Sequence, residues 1–232
     1  MEQMREPSLD LLVDLARPTK HDTVLDYASG AGMAGFALAP EVGEVKAADE
    51  LSDTLDEGRR LAAELGLDNV EFRLVDLYAL PYPDQTFSLV VCRNAFHRLP
   101  EPVSALAELQ RVLTPAGRII ILDSVVDAVT DRAYNDLARL REPAHRRHYR
   151  VEELDALAER AGLAVKRHAR LRRTTDLAYW LQAAAVPQPK AELIRNRFRE
   201  LPVDVQAALD VAFTDRAVSF SYDIAGLRLE RP

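Results

Sequence analysis

Two periods of apolar and polar positions run along this chain. Residues 8–17 (SLDLLVDLAR) place apolar side chains at helical spacing, which predicts an opening helix ending near Pro18. TVLDYA follows as a short strand, and GMAGFALAP reads as a helix started by a glycine turn and stopped at Pro40. The alternation then repeats. Strand VGEVKAADE leads to the amphipathic helix LSDTLDEGRRLAAELGL, which ends at Gly66, and strand NVEFRLVDL leads to the turn-prone PYPDQ. Strand TFSLVVCRN, helix EPVSALAELQRVLTPAG (closed by Pro115-Ala116-Gly117) and the Ile- and Val-rich strand RIIILDSV complete the series. Five strands alternating with helices over about 100 residues imply an open, mostly parallel sheet covered on both faces. After Asp123 the pattern changes. DRAYNDLARLREPAHRRHYRVEELDALAERAG is helical around a break at Pro143, and LAVKRHARLRR reads as a sixth strand with a basic edge. DLAYWLQAAA and KAELIRNRFREL read as two more helices, and AVSFSYDIAGLRLERP as a last strand or hairpin.

The expected fold is therefore α/β: a Rossmann-like three-layer sandwich whose mostly parallel sheet has about seven strands, with a helical cap. At 232 residues, 48% hydrophobic and 29% charged, the chain fits one domain over 1–232, with cap elements within 128–150 and 174–212. The net charge of -7 argues against a broad nucleic-acid surface. No run of 18 apolar residues and no basic-then-apolar leader marks a membrane span or signal peptide. The single cysteine, Cys92, cannot form an internal disulfide; it reads as a small buried hydrophobe in a reducing compartment, by default the cytoplasm. Sheets of this kind bind ligands beyond the C-terminal ends of their strands, where strand order reverses. The informative residues are then Asp26–Gly32, Asp49–Glu50, Asp76–Leu77, Arg93–His97 and Asp123.

Within VLDYASGAGMAG the letters G-A-G-M-A-G form a literal GxGxxG, usually a dinucleotide fingerprint. Asp26 argues otherwise, because a carboxylate beside the turn repels a pyrophosphate and suits an ammonium or sulfonium group. Asp49, 19 residues after Gly30, is placed to accept hydrogen bonds from a ribose diol, and Asp76 to accept from an adenine amino group. Together they describe adenosine bearing a cationic amino acid. S-adenosyl-L-methionine fits better than NAD, and no Tyr-x-x-x-Lys pair follows the fourth or fifth strand to support an NAD-dependent oxidoreductase.

The stretches VLDYASGAGMAGFALAP, VKAADELSDTLDEGRRLAAELGLDNVEFRLVDLYALPYPDQTFSLVVCRNAFHRLPEP and ALAELQRVLTPAGRIIILDSV resemble the class I S-adenosylmethionine-dependent methyltransferases of the UbiE/COQ5-like, methyltransferase type 11 group. The resemblance implies methyl transfer to a small-molecule acceptor, through an O, N or C nucleophile. It places Asp26 near the methionine ammonium, Ala28, Ser29, Gly30 and Gly32 in the turn, and Asp49 on the ribose hydroxyls. Glu50 and Leu51 would flank ribose and adenine, Asp76 and the Leu77 backbone would frame the adenine, and Arg93 would close the methionine end. The sequence departs from the group at two points. Ala28 stands at the first glycine of D-x-G-x-G-x-G, which costs little if that backbone is not left-handed. The frequent His-His pair is His97-Arg98.

His97 and His145 are the candidate catalytic residues. Tyr134, His145 and Tyr149 are expected to face a mostly apolar acceptor pocket above Arg93 and His97, suited to an aromatic, quinone-like or lipid-like molecule. Displacement at an already activated methyl needs alignment and exclusion of water, sometimes a base, and no metal. A catalytically inactive S-adenosylmethionine-fold binding protein is the non-enzyme alternative.

Overall fold

The computed structural model describes residues 6–214 and 217–232. The parallel part of the sheet comprises β1 (Thr23–Tyr27), β2 (Glu44–Asp49), β3 (Val70–Leu74), β4 (Phe87–Arg93) and β5 (Leu113–Val125). Three further strands follow: β6 (Ala164–Asp176), β7 (Ala212–Phe213) and β8 (Val218–Glu230). The order is β3-β2-β1-β4-β5-β8-β6, with the short β7 paired to β8. β8 runs antiparallel to both β5 and β6, so the sheet is mixed at one edge only. Strand order reverses between β1 and β4, which locates the ligand crevice beyond their C-terminal ends.

The helices lie where the periodicity predicts. α1 (Pro7–Ala16), α2 (Met33–Leu38), α3 (Ser52–Leu65) and α4 (Pro102–Val112) flank the parallel strands. One boundary differs. The helix expected to run to Gly117 stops at Val112, because Leu113 already pairs with Phe87 and the register shifts before Leu89 meets Arg118. The chain therefore enters β5 ahead of the Pro-Ala-Gly segment.

Apolar residues on the two sheet faces form separate clusters. Leu25, Val90, Ile119, Ile121 and Leu227 pack under α4 and α6 (Val151–Arg160). Val24, Val45, Leu89, Val91 and Ile120 pack under α1 and α2. The buried strands read as near-continuous apolar runs for this reason. A third cluster joins α5 (Asp131–Arg141), α7 (Leu177–Gln182), α8 (Gln188–Arg199) and α9 (Val203–Ala208) through Tyr134, Trp180, Ile194, Phe198 and Phe220. This cluster stands over the C-terminal part of β5 through Val126, where the cap is expected. Helix α9 was not separated from its neighbours by the sequence pattern. No described helix is long and apolar enough to cross a membrane.

Candidate functional site

The β1–α2 turn carries the first group of residues. Ser29 N–H donates to the Ala48 carbonyl at 3.1 Å, tying the turn to β2. Gly30 (φ 54°) and Gly32 (φ 87°) are left-handed, and a side chain added at Gly30 would meet nothing within 4 Å. Backbone is thus open to a ligand at that point. Ala28 is left-handed too, at φ 54°. The condition under which alanine costs little at this position is not met, because its methyl group crowds the following carbonyl.

The carboxylates differ in how they are held. Asp49 accepts the Gly30 N–H on Oδ2 at 2.8 Å and the Leu51 N–H on Oδ1 at 3.0 Å, so both oxygens are fixed by backbone and retain free lone pairs. Leu51 stands 61% exposed beside it, an apolar surface without a protein partner to cover it. Asp76 is exposed and caps its own turn by accepting Tyr78 N–H at 2.7 Å. Leu77 is clamped, its N–H to Glu50 at 3.4 Å and its carbonyl to the Tyr27 hydroxyl at 2.9 Å. Asp26 lies deeper: it is 1% exposed and accepts Gly35 N–H at 2.8 Å. Burial pushes its carboxyl up to about 7, against the pull of the Gly35 N–H and Arg93. Glycine at 35 permits this approach, since a Cβ there would sit 3.1 Å from Asp26 Oδ2.

The second group gathers beyond β4 and β5. His97 sits in a 3-10 turn, Phe96–Arg98, directly after β4. Its Nδ1 faces Asp123 Oδ1 at 2.8 Å, and its backbone N–H donates to Asp123 Oδ2 at 3.0 Å. Its Nε2 lies 3.7 Å from Glu142 Oε2. Burial opposes a charge on this imidazole, yet Asp123 and Glu142 outweigh burial and hold its proton up to about 9. Burial raises Asp123 as well, but His97 brings it down to about 2. At neutral pH the pair is an imidazolium and a carboxylate.

The segment after α5 docks onto this pair. The His97 carbonyl accepts the N–H groups of Arg146 at 2.9 Å and Arg147 at 3.0 Å. The imidazoles of His97, His145 and His148 lie with centroids 4.4–5.4 Å apart. Asn135, 1% exposed on α5, organises them. Its Nδ2 donates to the carbonyls of Asp131 (2.9 Å) and His148 (3.1 Å), so its Oδ1 is the acceptor for His145 Nε2 at 2.9 Å and for His148 N–H at 2.7 Å. This network assigns the His145 proton to Nε2 and leaves Nδ1 bare. Burial and the nearby His97 charge lower His145 to about 4, so it is neutral at physiological pH. His148 is lowered by the same causes, and its buried Nδ1 has no hydrogen-bond partner among the described residues. One ligand atom from each of His97, Asp123 and His148 lies within 4.8 Å of the others, a donor set chemically able to hold a divalent ion. In the observed arrangement the Asp123 oxygens instead take His97 and the Ser124 N–H.

The three histidines line a cavity of about 260 Å³, together with Glu6, Arg98, Tyr134, Arg141, Glu142, Arg173, Trp180 and Tyr222. Tyr134 and His145 line the cavity. Tyr149 does not: its carbonyl accepts Val126 N–H at 3.1 Å and its ring packs on Phe96 at 5.9 Å, which turns it into the main core. Nor is the lining mostly apolar, since three arginines, two glutamates and three histidines share it with the aromatic rings. Arg93 reaches Glu6 at 2.5 Å and Ser8 at 2.9 Å, so its guanidinium fastens the α1 entrance while its charge acts on Asp26. Arg98, at the position of the second histidine, pairs with Glu142. Cys92 is fully buried, as a structural thiol should be.

Residues 18–180 match a protein family described as a methyltransferase domain. The chain is 29% identical over 188 residues to the uncharacterized methyltransferase YcgJ of Bacillus subtilis, covering 80% of this chain and 74% of that protein. The crystal structure of YcgJ superposes with a TM-score of 0.91 at 26% identity, over 97% of this chain and 99% of that one. A demethylmenaquinone methyltransferase of Clavibacter sepedonicus is 40% identical over 106 residues, covering 46% of this chain. The match spans 42% of that relative, less than half its length.

Proposed function

The chain belongs to the methyltransferase-domain family, an S-adenosyl-L-methionine-dependent class, and from that premise we propose that it methylates a small-molecule acceptor held in the cavity beyond β4 and β5. The observation carrying this reading is the adjacency of two sites at one sheet end. Strand-end carboxylates around an open glycine turn lie on one side, and a cavity with a bare imidazole nitrogen lies on the other. When bound, S-adenosylmethionine supplies a methyl group already activated on a sulfonium.

The chain's own residues bind and align. Asp49 offers two oxygens, already ordered by backbone, to a ribose diol. Leu51 gives apolar cover beside them, and Asp76 with the clamped Leu77 backbone frames a base. Asp26 presents a buried carboxyl whose ionised form a nearby cation favours. Gly30, in the turn it forms with Ala28, Ser29 and Gly32, keeps the approach open. In the cavity, neutral His145 accepts an acceptor's proton at Nδ1 while Asn135 holds its Nε2–H. Cationic His97 cannot serve as the resting base; pinned by Asp123 and Glu142, it orients the site and supplies positive charge. The helices of the third cluster exclude water from above.

Quinone-like acceptors enter through the menaquinone relative, but a cavity of about 260 Å³ favours something smaller. Calorimetry with S-adenosylmethionine, its demethylated product and NADH tests the cofactor side. Both methionine nucleosides are expected to bind and NADH to give no heat; the opposite pattern sinks the reading.

A further inference from the structure

The walls of the cavity are unbalanced in charge. Glu142 faces Arg98, Arg141 at 3.6 Å and His97 at 3.7 Å, and Glu6 bonds Arg93 and Arg173, each at 2.5 Å. Within the lining, two carboxylates, Glu6 and Glu142, therefore face three guanidiniums, Arg98, Arg141 and Arg173, and Glu6 is shared with Arg93 outside it.

Arg141 carries the surplus in a usable form. Its guanidinium lies 4.6 Å over the Trp180 ring, and its Nε donates to the Trp180 carbonyl at 2.9 Å, which fixes the plane of the fork. Among the described residues its Nη groups make no hydrogen bond, because Glu142 at 3.6 Å is beyond reach. The side chain is only 20% exposed. An arginine this far from bulk water, stacked and with its bidentate edge unused, matches a planar anion rather than a neutral ligand. Tyr134, Tyr179 and Tyr222 extend the aromatic wall around it. The cavity volume restricts the occupant to a molecule smaller than the usual drug-sized ligand.

We propose that the methyl acceptor is a small carboxylate-bearing molecule whose carboxylate is bound by the Nη edge of Arg141 against Trp180. This rests on the cavity being the acceptor site, and it adds the charge and size of the acceptor. A negative acceptor also balances the positive charge that arrives with the methyl donor. Arg141 is then a specificity residue, distinct from His145.

The test uses the full chain saturated with S-adenosylhomocysteine and two matched pairs of probes, benzoate with benzamide and phenylacetate with phenylacetamide, titrated calorimetrically. At least one acid should bind about tenfold or more tightly than its amide. Arg141→Gln should erase that preference without altering affinity for S-adenosylhomocysteine. Arg141→Lys, which keeps a charge but loses the stacked fork, should retain only part of it and guards against a glutamine variant that folds poorly. The proposal is overturned if neither acid exceeds its amide, or if the preference survives in Arg141→Gln. A surviving preference that disappears with EDTA would transfer the anion to a metal held by His97, Asp123 and His148. Failure of the wild-type chain to bind S-adenosylhomocysteine would instead count against the methyltransferase reading itself.

Discussion

The two halves of the site are built on different principles. On the β1–β3 side, Asp49 is ordered by the backbone N–H groups of Gly30 and Leu51, and Leu77 by Glu50 and Tyr27. On the β4–β5 side, His97, Asp123, Asn135, Glu142 and His145 are tied to one another through side chains. Backbone-ordered carboxylates need little beyond a strand end and a turn, so one fixed arrangement serves one fixed ligand. A side-chain network can change its ligand by changing a few residues. The contrast fits a constant methyl donor on one side and a variable acceptor on the other.

Protonation separates the halves most sharply. Asp26 is raised from an ordinary 3.8 to about 7, so the folded chain holds this proton more tightly than the unfolded one. The associated stabilisation is complete below pH 4 and lost as pH rises through 7. His97 is raised from 6.5 to about 9, so its contribution is complete below pH 6.5 and lost as pH rises through 9. Each contribution is on the order of a few kcal/mol. His145 and His148 pull the other way: kept neutral by burial, they add stability as pH rises through 6.5. Thermal melts of the ligand-free protein should therefore fall above pH 6.5 as His97 loses its proton, and His97→Gln should remove that fall. Asp26→Asn, which keeps an acceptor for Gly35 N–H, should make the stability gained between pH 4 and 6.5 larger than in the wild type. No decline between pH 6.5 and 9 would contradict the His97 assignment, and an Asp26→Asn profile parallel to the wild type below pH 7 would contradict the Asp26 assignment.

Chemistry should divide in the same way. With a competent acceptor, His145→Gln is expected to lower the methyl-transfer rate roughly 10²-fold or more while cofactor affinity stays at the wild-type value. A wild-type rate across pH would remove His145 from catalysis and leave the cofactor half untouched. Asp49→Ala should do the converse. It should weaken binding of S-adenosylmethionine by about 1.5–3 kcal/mol, with a much smaller change in the melting temperature of the free protein. Equal affinity in the mutant would reduce Asp49 to a brace for the turn.

The same division governed what the sequence could reveal. Asp26, Asp49 and Asp76 stand at or just past the C-terminal ends of consecutive strands, and the glycine turn lies between the first two, so a local pattern suffices to find them. The reversed β8 was visible only as a last strand or hairpin, because direction is not written in apolar periodicity. The cavity side draws on Glu6, His97, Asp123, Arg141, Arg173, Trp180 and Tyr222, which come from seven separate elements or loops. No spacing rule joins them. Tyr149 shows the cost: one residue past His148, it belongs to the core cluster while its neighbour faces the cavity. Asn135 and Arg141 carried no signal beyond their positions on a polar helix. Their roles follow from burial and from which hydrogen-bonding groups are left without partners.

The smallest expected effect is at Ala28, where the two halves of the comparison meet backbone strain rather than charge. A left-handed alanine at φ 54° costs about 1–2 kcal/mol relative to a permissive residue. Glycine would relieve that, but it would also raise the entropy of the unfolded chain by roughly 0.5–1 kcal/mol. It would further delete a methyl group that packs on the main core, a contact worth up to about 0.8 kcal/mol. These contributions nearly cancel. Ala28→Gly should therefore change stability by less than about 1 kcal/mol, a shift in melting temperature of no more than roughly 2–4 °C. Affinity for S-adenosylmethionine should be unchanged, because the backbone already has the conformation that glycine would adopt freely. A large gain in stability would mean that the strain dominates, and a large loss would mean that the methyl contact does. A gain in affinity without either would show that the alanine methyl group obstructs the ligand, making Ala28 a participant in binding and not only part of the turn.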